Sequence, residues 1–194
     1  AADQAGVGDW SVPQIVELLV SGVSQRGSVQ GPMAEVVFGS TRHLTAEDAA
    51  AMAVYLKSLG SDHRATTETS AASAPSETPD AQTIGSRKRG ATLYADHCAN
   101  CHGTQGEGRA GAYPALAGNR GVLLDPPVNL LQTIIHGGFA PTTAGNPTPF
   151  GMPPFGLQLS QSEIADLMTY LRSAWGHSAS AVGQRDVQRW MERP

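Results

Sequence analysis

The sequence predicts an all-α protein, and three observations carry that reading. Apolar residues recur at helical spacing in Ile164, Leu167, Met168 and Leu171, and again in Leu130, Leu131, Ile134 and Ile135. Two segments open with a capping box and a hydrophobic staple: Leu159, Ser160, Glu163 and Ile164 in one, Trp10, Ser11, Gln14 and Ile15 in the other. Between the helical blocks stand glycine- and proline-rich stretches that suit loops.

Taken in order, Trp10 to Gly22 is a capped helix and Leu44 to Leu59 a second. Thr66 to Glu77 lacks any apolar period and reads as an extended linker. A helix from Ala91 to His97 turns Leu93 and Tyr94 inward, Pro127 to His136 forms another, and a last helix runs from Ser160 to Trp175, ended by Gly176. Met168 falls on the inner face of that helix and reads as core. His136 closes a helix before Gly137-Gly138, where a capping or surface role suits a histidine. The tail beyond Gly176 is polar but ends with Trp190 and Met191, which either pack back on the preceding domain or dock on a partner.

Composition narrows the function. The 194 residues carry 13 Lys and Arg against 17 Asp and Glu, a net charge of −4, and the densest basic cluster is Arg87-Lys88-Arg89. That pattern gives no reason to expect a nucleic-acid partner. The longest strongly apolar stretches, Ile15 to Val20 and Leu130 to Ile135, reach about a third of a membrane-spanning helix. The chain starts at Ala1 without a signal segment, which is expected of a processed mature protein or a fragment.

Two cysteines, Cys98 and Cys101, exclude a disulfide framework by their number, and a structural zinc site lacks its further ligands. The residue after the pair decides between the remaining readings. Cys98-Ala99-Asn100-Cys101-His102 is the attachment pattern of a c-type haem: two thioethers reach the vinyl groups of one porphyrin edge, and the next histidine lies under the iron. A redox dithiol would need a βαβ context, whereas Gly103, Gly106, Gly108 and Gly111 follow here. One covalent haem c is therefore expected.

A sixth ligand should come from a loop downstream, and Met152, between Gly151 and Pro153-Pro154, is the best candidate; a loop methionine filling a gap is the alternative. His97 is too close to the attachment site to reach the opposite face. The Pro114 carbonyl could accept from the His102 ring N–H and fix its tautomer. Arg120 is a candidate partner for a haem propionate, or else a plain surface arginine.

The first sixty residues hold a partial repeat. Leu44 to Asp48 and Tyr55 to Ser58 align without gaps on Leu159 to Glu163 and Tyr170 to Ser173, and Ile15 to Gly22 parallels Leu130 to Gly137. Each copy has one loop methionine between these blocks, Met33 in the first and Met152 in the second. The expected architecture is thus a class I cytochrome c domain at 87–178, preceded by the helical latter half of a second such domain at 1–60. A linker at 61–86 and a tail at 179–194 complete it. The first copy lacks its own attachment motif, so the chain reads as an N-terminally truncated piece of a multihaem protein. A haem-free pseudo-domain is the alternative. Met33 is then an orphan distal ligand whose apolar pocket face needs cover.

The residues Cys98 to His102, Tyr113 to Asn119, Met152 to Phe155 and Tyr170 to Arg172 resemble the last domain of three-haem cytochrome c subunits. These subunits serve bacterial periplasmic alcohol, gluconate, sorbitol and aldehyde dehydrogenases. Gly31 to Val37 with Leu44 to Leu59 is similar to the end of their middle domain. The resemblance implies an electron-transfer subunit without catalytic residues, which accepts single electrons from a dehydrogenase catalytic subunit and passes them to quinone or a terminal oxidase. It also implies a periplasmic location with peripheral association on the cytoplasmic membrane. Cys98 and Cys101 would attach the haem, His102 would be the proximal ligand, Met152 the distal one, and Met33 would match the distal ligand of the preceding domain. The competing classes are a haem enzyme of peroxidase or thiosulfate-oxidising type and a haem-based ligand-binding module. Both need an open sixth position.

Overall fold

In the computed structural model, residues 6–62 and 80–192 are described. Most of the linker, Thr66 to Glu77 included, lies outside them. The described residues are mostly helical, with α1 at Val12–Ser21, α2 at Pro32–Gly39 and α3 at Ala46–Asp62 in the first part. The second part holds α4 at Ala81–His97, α5 at Ala99–His102, α6 at Arg120–Leu123, α7 at Val128–His136, α8 at Gln161–Leu171 and α9 at Gln184–Met191. A two-stranded ribbon, β1 at Val23–Ser24 and β2 at Gly27–Ser28, follows α1. No described helix is long and apolar enough to cross a membrane.

The larger core joins α4, α7 and α8. Leu130, Leu131, Ile134 and Ile135 meet Ile164, Leu167, Met168 and Leu171, with Tyr94 and Phe155 closing the cluster. The crossing of α4 on α8 depends on Gly90, since a Cβ there would collide with the Asp166 carbonyl and Tyr170. Beside it, Ser86 donates to Asp166, and Arg89 grips the same carboxylate from Nε at 2.5 Å and Nη2 at 2.9 Å. Both predicted capping boxes are present: Ser160 with Glu163 opens α8, and Ser11 with Gln14 opens α1. The smaller core gathers Trp10, Ile15 and Ala53 under α1 and α3.

Four expectations need correction. The helix leading to the cysteines starts at Ala81 rather than Ala91, because the Asp80 carboxylate caps it by accepting from the Thr83 N–H at 2.7 Å. With α3 reaching Asp62, helix intrudes on both ends of the 61–86 linker. The last long helix stops at Leu171 instead of Trp175. Trp175 takes a left-handed backbone (φ 52°) that turns its ring back onto Gly106 and Tyr94. Met33 is no loop residue: Pro32 sits at the first position of α2, and its fixed φ starts a helix with Met33 next. In the tail, α9 buries Val187 completely and lays Trp190 on the core, the first of its two expected options, while Met191 stays 40% exposed.

The first part docks directly on the second. Arg120 donates its backbone N–H to the Arg26 carbonyl at 2.8 Å, and Asp9 lies 2.5 Å from both Arg26 and Arg120. Thr143 donates to the Ser21 carbonyl at 3.1 Å and Arg42 to the Thr142 carbonyl at 3.2 Å.

Candidate haem-attachment site

Helix α4 ends at Cys98, and the chain continues through one further turn, α5, to His102. The His102 amide bonds the Cys98 carbonyl at 2.9 Å and the Cys101 amide does so at 3.1 Å. Residues three and four apart on a helical turn share a face, so both sulfurs and the imidazole are presented together. Gly103 then breaks the helix with φ 80°. Cys98 is buried and Cys101 half-buried, and no disulfide joins them. Burial, helped by the neighbouring Cys101, pushes the Cys98 thiol up to about 11.

His102 is buried, and its Nδ1 lies 2.9 Å from the Pro114 carbonyl oxygen. A carbonyl can only accept, so Nδ1 carries the proton and Nε2 keeps its lone pair. Burial lowers the imidazolium pKa, with the Pro114 bond acting in the other direction, and a neutral imidazole is the form that ligates a metal. The donor set, two thiols and one oriented imidazole on a single turn, fits the thioether attachment and proximal ligation of a c-type haem.

The Pro114 loop is held from two sides. The Leu116 and Ala117 amides bond the Gly106 carbonyl at 2.8 and 2.9 Å. His177, unremarked in the sequence reading, spans the gap between α8 and this loop: its Nδ1 donates to the Leu171 carbonyl at 2.8 Å, and its Nε2 accepts from the Gly118 N–H at 2.9 Å. Beneath lies a cluster of rings, Tyr94, Tyr170 and Trp175, with centroids 5.1–5.7 Å apart. The Tyr94 hydroxyl donates to the Gly103 carbonyl. A lone histidine six residues beyond its helical partner leaves no motif by which to find it.

Met152 is half-buried against the main core, and its backbone pairs with Gly138 through two hydrogen bonds of 2.8 and 3.1 Å. Below it the Phe155 and Gly156 amides bond the last carbonyls of α7, at Ile134 and Ile135. The Met152 loop is thereby pinned to the end of α7. Arg120 opens α6 and pairs with Asp9, and Met33 lies on α2 in the first part of the chain, 51% exposed. The structure thus brings together Cys98, Cys101, His102 and Pro114, and leaves Met33 apart from them.

Residues 87–175 match the family model of cytochrome c, so this part of the chain is a cytochrome c domain, of a family that implies covalently bound haem c. Across 95% of its length the chain is 36% identical to the cytochrome c subunit of the quinone-type alcohol dehydrogenase of Gluconobacter oxydans. Across 94% it is 35% identical to the gluconate 2-dehydrogenase cytochrome c subunit of Pantoea cypripedii, and across 97% it is 27% identical to the fructose dehydrogenase cytochrome subunit of Gluconobacter japonicus. The chain spans only 38%, 41% and 42% of these relatives, respectively.

Proposed function

We propose that the chain is an electron-transfer part of a periplasmic dehydrogenase complex, peripheral on the cytoplasmic membrane, and that it performs no catalysis itself. In this reading it takes single electrons from a dehydrogenase catalytic subunit and passes them to quinone or a terminal oxidase. The single observation that carries the proposal is the His102–Pro114 bond beside Cys98 and Cys101 on the same helical turn. The bound haem supplies a one-electron iron couple, which a methionine ligand sets higher than a second histidine would. Cys98 and Cys101 would hold it by thioethers, His102 would offer Nε2 to the iron, and Pro114 would fix that ring. Met152, pinned at Gly138, would supply the sulfur ligand.

We also read residues 1–60 as the latter half of a second domain, with Met33 in the position of its distal ligand. Two facts support this. The matching blocks, Ile15 with Leu130 and Leu44 with Leu159, keep one constant offset. The positions of α3 that correspond to the covered face of α8 are open: Met52 is 38% exposed where Leu167 is 1%, and Tyr55 is 62% exposed where Tyr170 packs on the core. An apolar face of this kind is what an uncovered haem-domain helix presents.

The test is optical. The oxidised holoprotein should show a near-infrared sulfur-to-iron charge-transfer band, which Met152→Ala should abolish while lowering the potential. A band that survives the substitution rejects Met152 as the ligand. Intact-mass measurement should give one haem per chain, and alkylation should find no free thiol. Absence of the band in the parent would favour the haem-enzyme reading.

A further inference from the structure

We infer that the first part of the chain is a buttress for the Met152 loop, and that Thr143 and Arg42 are positioning residues for the distal ligand. The inference rests on the ligand reading above and adds to it.

Residues 139–151 form a loop whose two ends meet at the Gly138–Met152 bridge. With Pro141, Pro147 and Pro149 in it, the loop cannot build a hydrogen-bonded ladder of its own. Its internal order is one tight turn, in which the Thr143 and Asn146 amides each bond the other's carbonyl at 3.2 Å and the Asn146 side chain donates to the Pro141 carbonyl at 3.3 Å. Such a turn would ordinarily lie open to water. Here Thr143 and Asn146 are only 6% and 4% exposed, although both are polar.

The cover comes from the end of α1 and the turn at Thr41–His43. The Thr143 hydroxyl donates to the Ser21 carbonyl, one of the carbonyls that a helix end leaves unpaired. Arg42 donates from Nη1 to the Thr142 carbonyl. Contact is close enough that a Cβ on Gly22 would strike the Pro141 ring and one on Gly145 would strike Ser21. Gly22 is free to take this place because it is the left-handed cap of α1, with φ 79°. The loop is therefore fixed by a closed circuit: bridge to α7 at one end, α1 and Arg42 at its middle. Because the anchored turn shares a short proline-rich loop with Met152, loosening it gives the thioether more conformations away from the iron and fewer on it.

Free imidazole competes with a loop-borne sulfur, so its affinity for the oxidised full-length holoprotein reads how firmly the loop holds its ligand. Arg42→Ala should tighten imidazole binding by roughly three- to tenfold, the factor that one net hydrogen bond is worth, and Thr143→Val by at least as much, since its hydroxyl also accepts from the Asn146 N–H at 3.2 Å. Thr143→Ser, which keeps the hydroxyl, should stay at the parental value. Thr169→Val serves as the control: it deletes an equally buried hydroxyl, bonded to Val182 in the same domain, and should not change imidazole affinity. Arg42 is a surface side chain, so that variant folds even if Thr143→Val does not. Parental affinity in both Thr143→Val and Arg42→Ala overturns the buttress. Equal tightening in Thr169→Val does so too, because the effect would then be general loosening. A sulfur-to-iron band retained in Met152→Ala would instead sink the ligand assignment itself.

Discussion

Arg172 is completely buried, and a charged side chain in that position must be held by its partners or destabilise the fold. Its Nε donates to the Ser180 carbonyl at 2.9 Å and its Nη1 to the Val122 and Leu124 carbonyls at 3.0 and 2.8 Å. Its Nη2 reaches Asp125 at 2.5 Å and the Ser180 hydroxyl at 3.0 Å. Burial lowers its pKa, with the Asp125 charge acting against that, so the ion pair does not fully offset desolvation. The Asp125 side chain is 52% exposed and correspondingly screened. The backbone carbonyls are therefore the main attachment, and they tie the end of α6 and the segment before α9 to the end of α8.

Arg172→Met keeps most of the volume and deletes all five donors. The Leu124 and Ser180 groups can turn to water, but the Val122 carbonyl belongs to a residue only 3% exposed. Stranding it costs roughly 1–3 kcal/mol, and losing a charge-assisted bond adds about 1.5 kcal/mol, so the expected loss is about 3 kcal/mol. For a domain of this size that lowers Tm by roughly 10–20 °C. Arg172→Lys should fall nearly as far, because one ammonium cannot replace a planar fork serving several acceptors. Asp125→Asn should cost less than about 1 kcal/mol. Thermal unfolding of the holoprotein, followed by far-ultraviolet dichroism and by haem absorbance, measures all three. If Arg172→Met unfolds within about 1 kcal/mol of the parent, the carbonyl clamp is not what holds these segments.

Gly90→Ala should destabilise by about 1–3 kcal/mol although alanine is the better helix former, because overpacking at the α4–α8 crossing outweighs propensity; urea unfolding that shows a gain contradicts the close crossing. Ser160→Ala removes the cap of α8 and should cost about 1 kcal/mol, read as a lower urea midpoint with an unchanged slope. Asp80 has its pKa lowered by the Thr83 backbone N–H and then by the Thr83 side chain. A depressed carboxylate contributes stability above its unfolded value of about 4 and loses it as pH falls through the folded value. The gap between parent and Asp80→Ala should therefore close in acid, and a gap constant from neutral pH to pH 2 would discredit the cap.

What the sequence disclosed was local. The caps at Ser11 and Ser160 operate over three residues, and the cysteine pair with its histidine is contiguous, so their partners stand beside them in the chain. Tyr113-Pro114 was legible for a different reason: a proximal histidine needs an acceptor for its second nitrogen, and chemistry rather than spacing named the candidate. The start of α4 stayed hidden because Gln82 to Ser86 is weakly apolar. Its outer end is held by Asp80 at the cap and by Ser86 and Arg89 reaching to Asp166, far along the chain. The docking of the first part was invisible because, the Asp9–Arg120 pair aside, its acceptors are the backbone carbonyls of Ser21, Arg26 and Thr142, which every residue type possesses.

The two copies of the repeat separate what sequence determines from what a neighbour determines. Helices α3 and α8 share a capped start and the motif Tyr-Leu-basic-Ser, and both bury the inner positions that correspond, Ala49 with Ile164 and Ala53 with Met168. They part on the next face. In α8 it receives α4, whose Gly90 lets the two backbones approach at Asp166 and Tyr170, and the turn after α8 adds Trp175 to the Tyr94–Tyr170 ring pair. In α3 the same face carries Met52 and Tyr55 toward solvent, and Lys57 turns back to the Gly8 and Trp10 carbonyls. Apolar pattern therefore marks a face as fit for burial, and a glycine on the opposing helix decides how closely it is covered. That is why the Cys98 to His102 turn, which continues directly from α4, is carried on a covered helix, whereas among the described residues no such helix lies over α3 in the unit that holds Met33, itself 51% exposed.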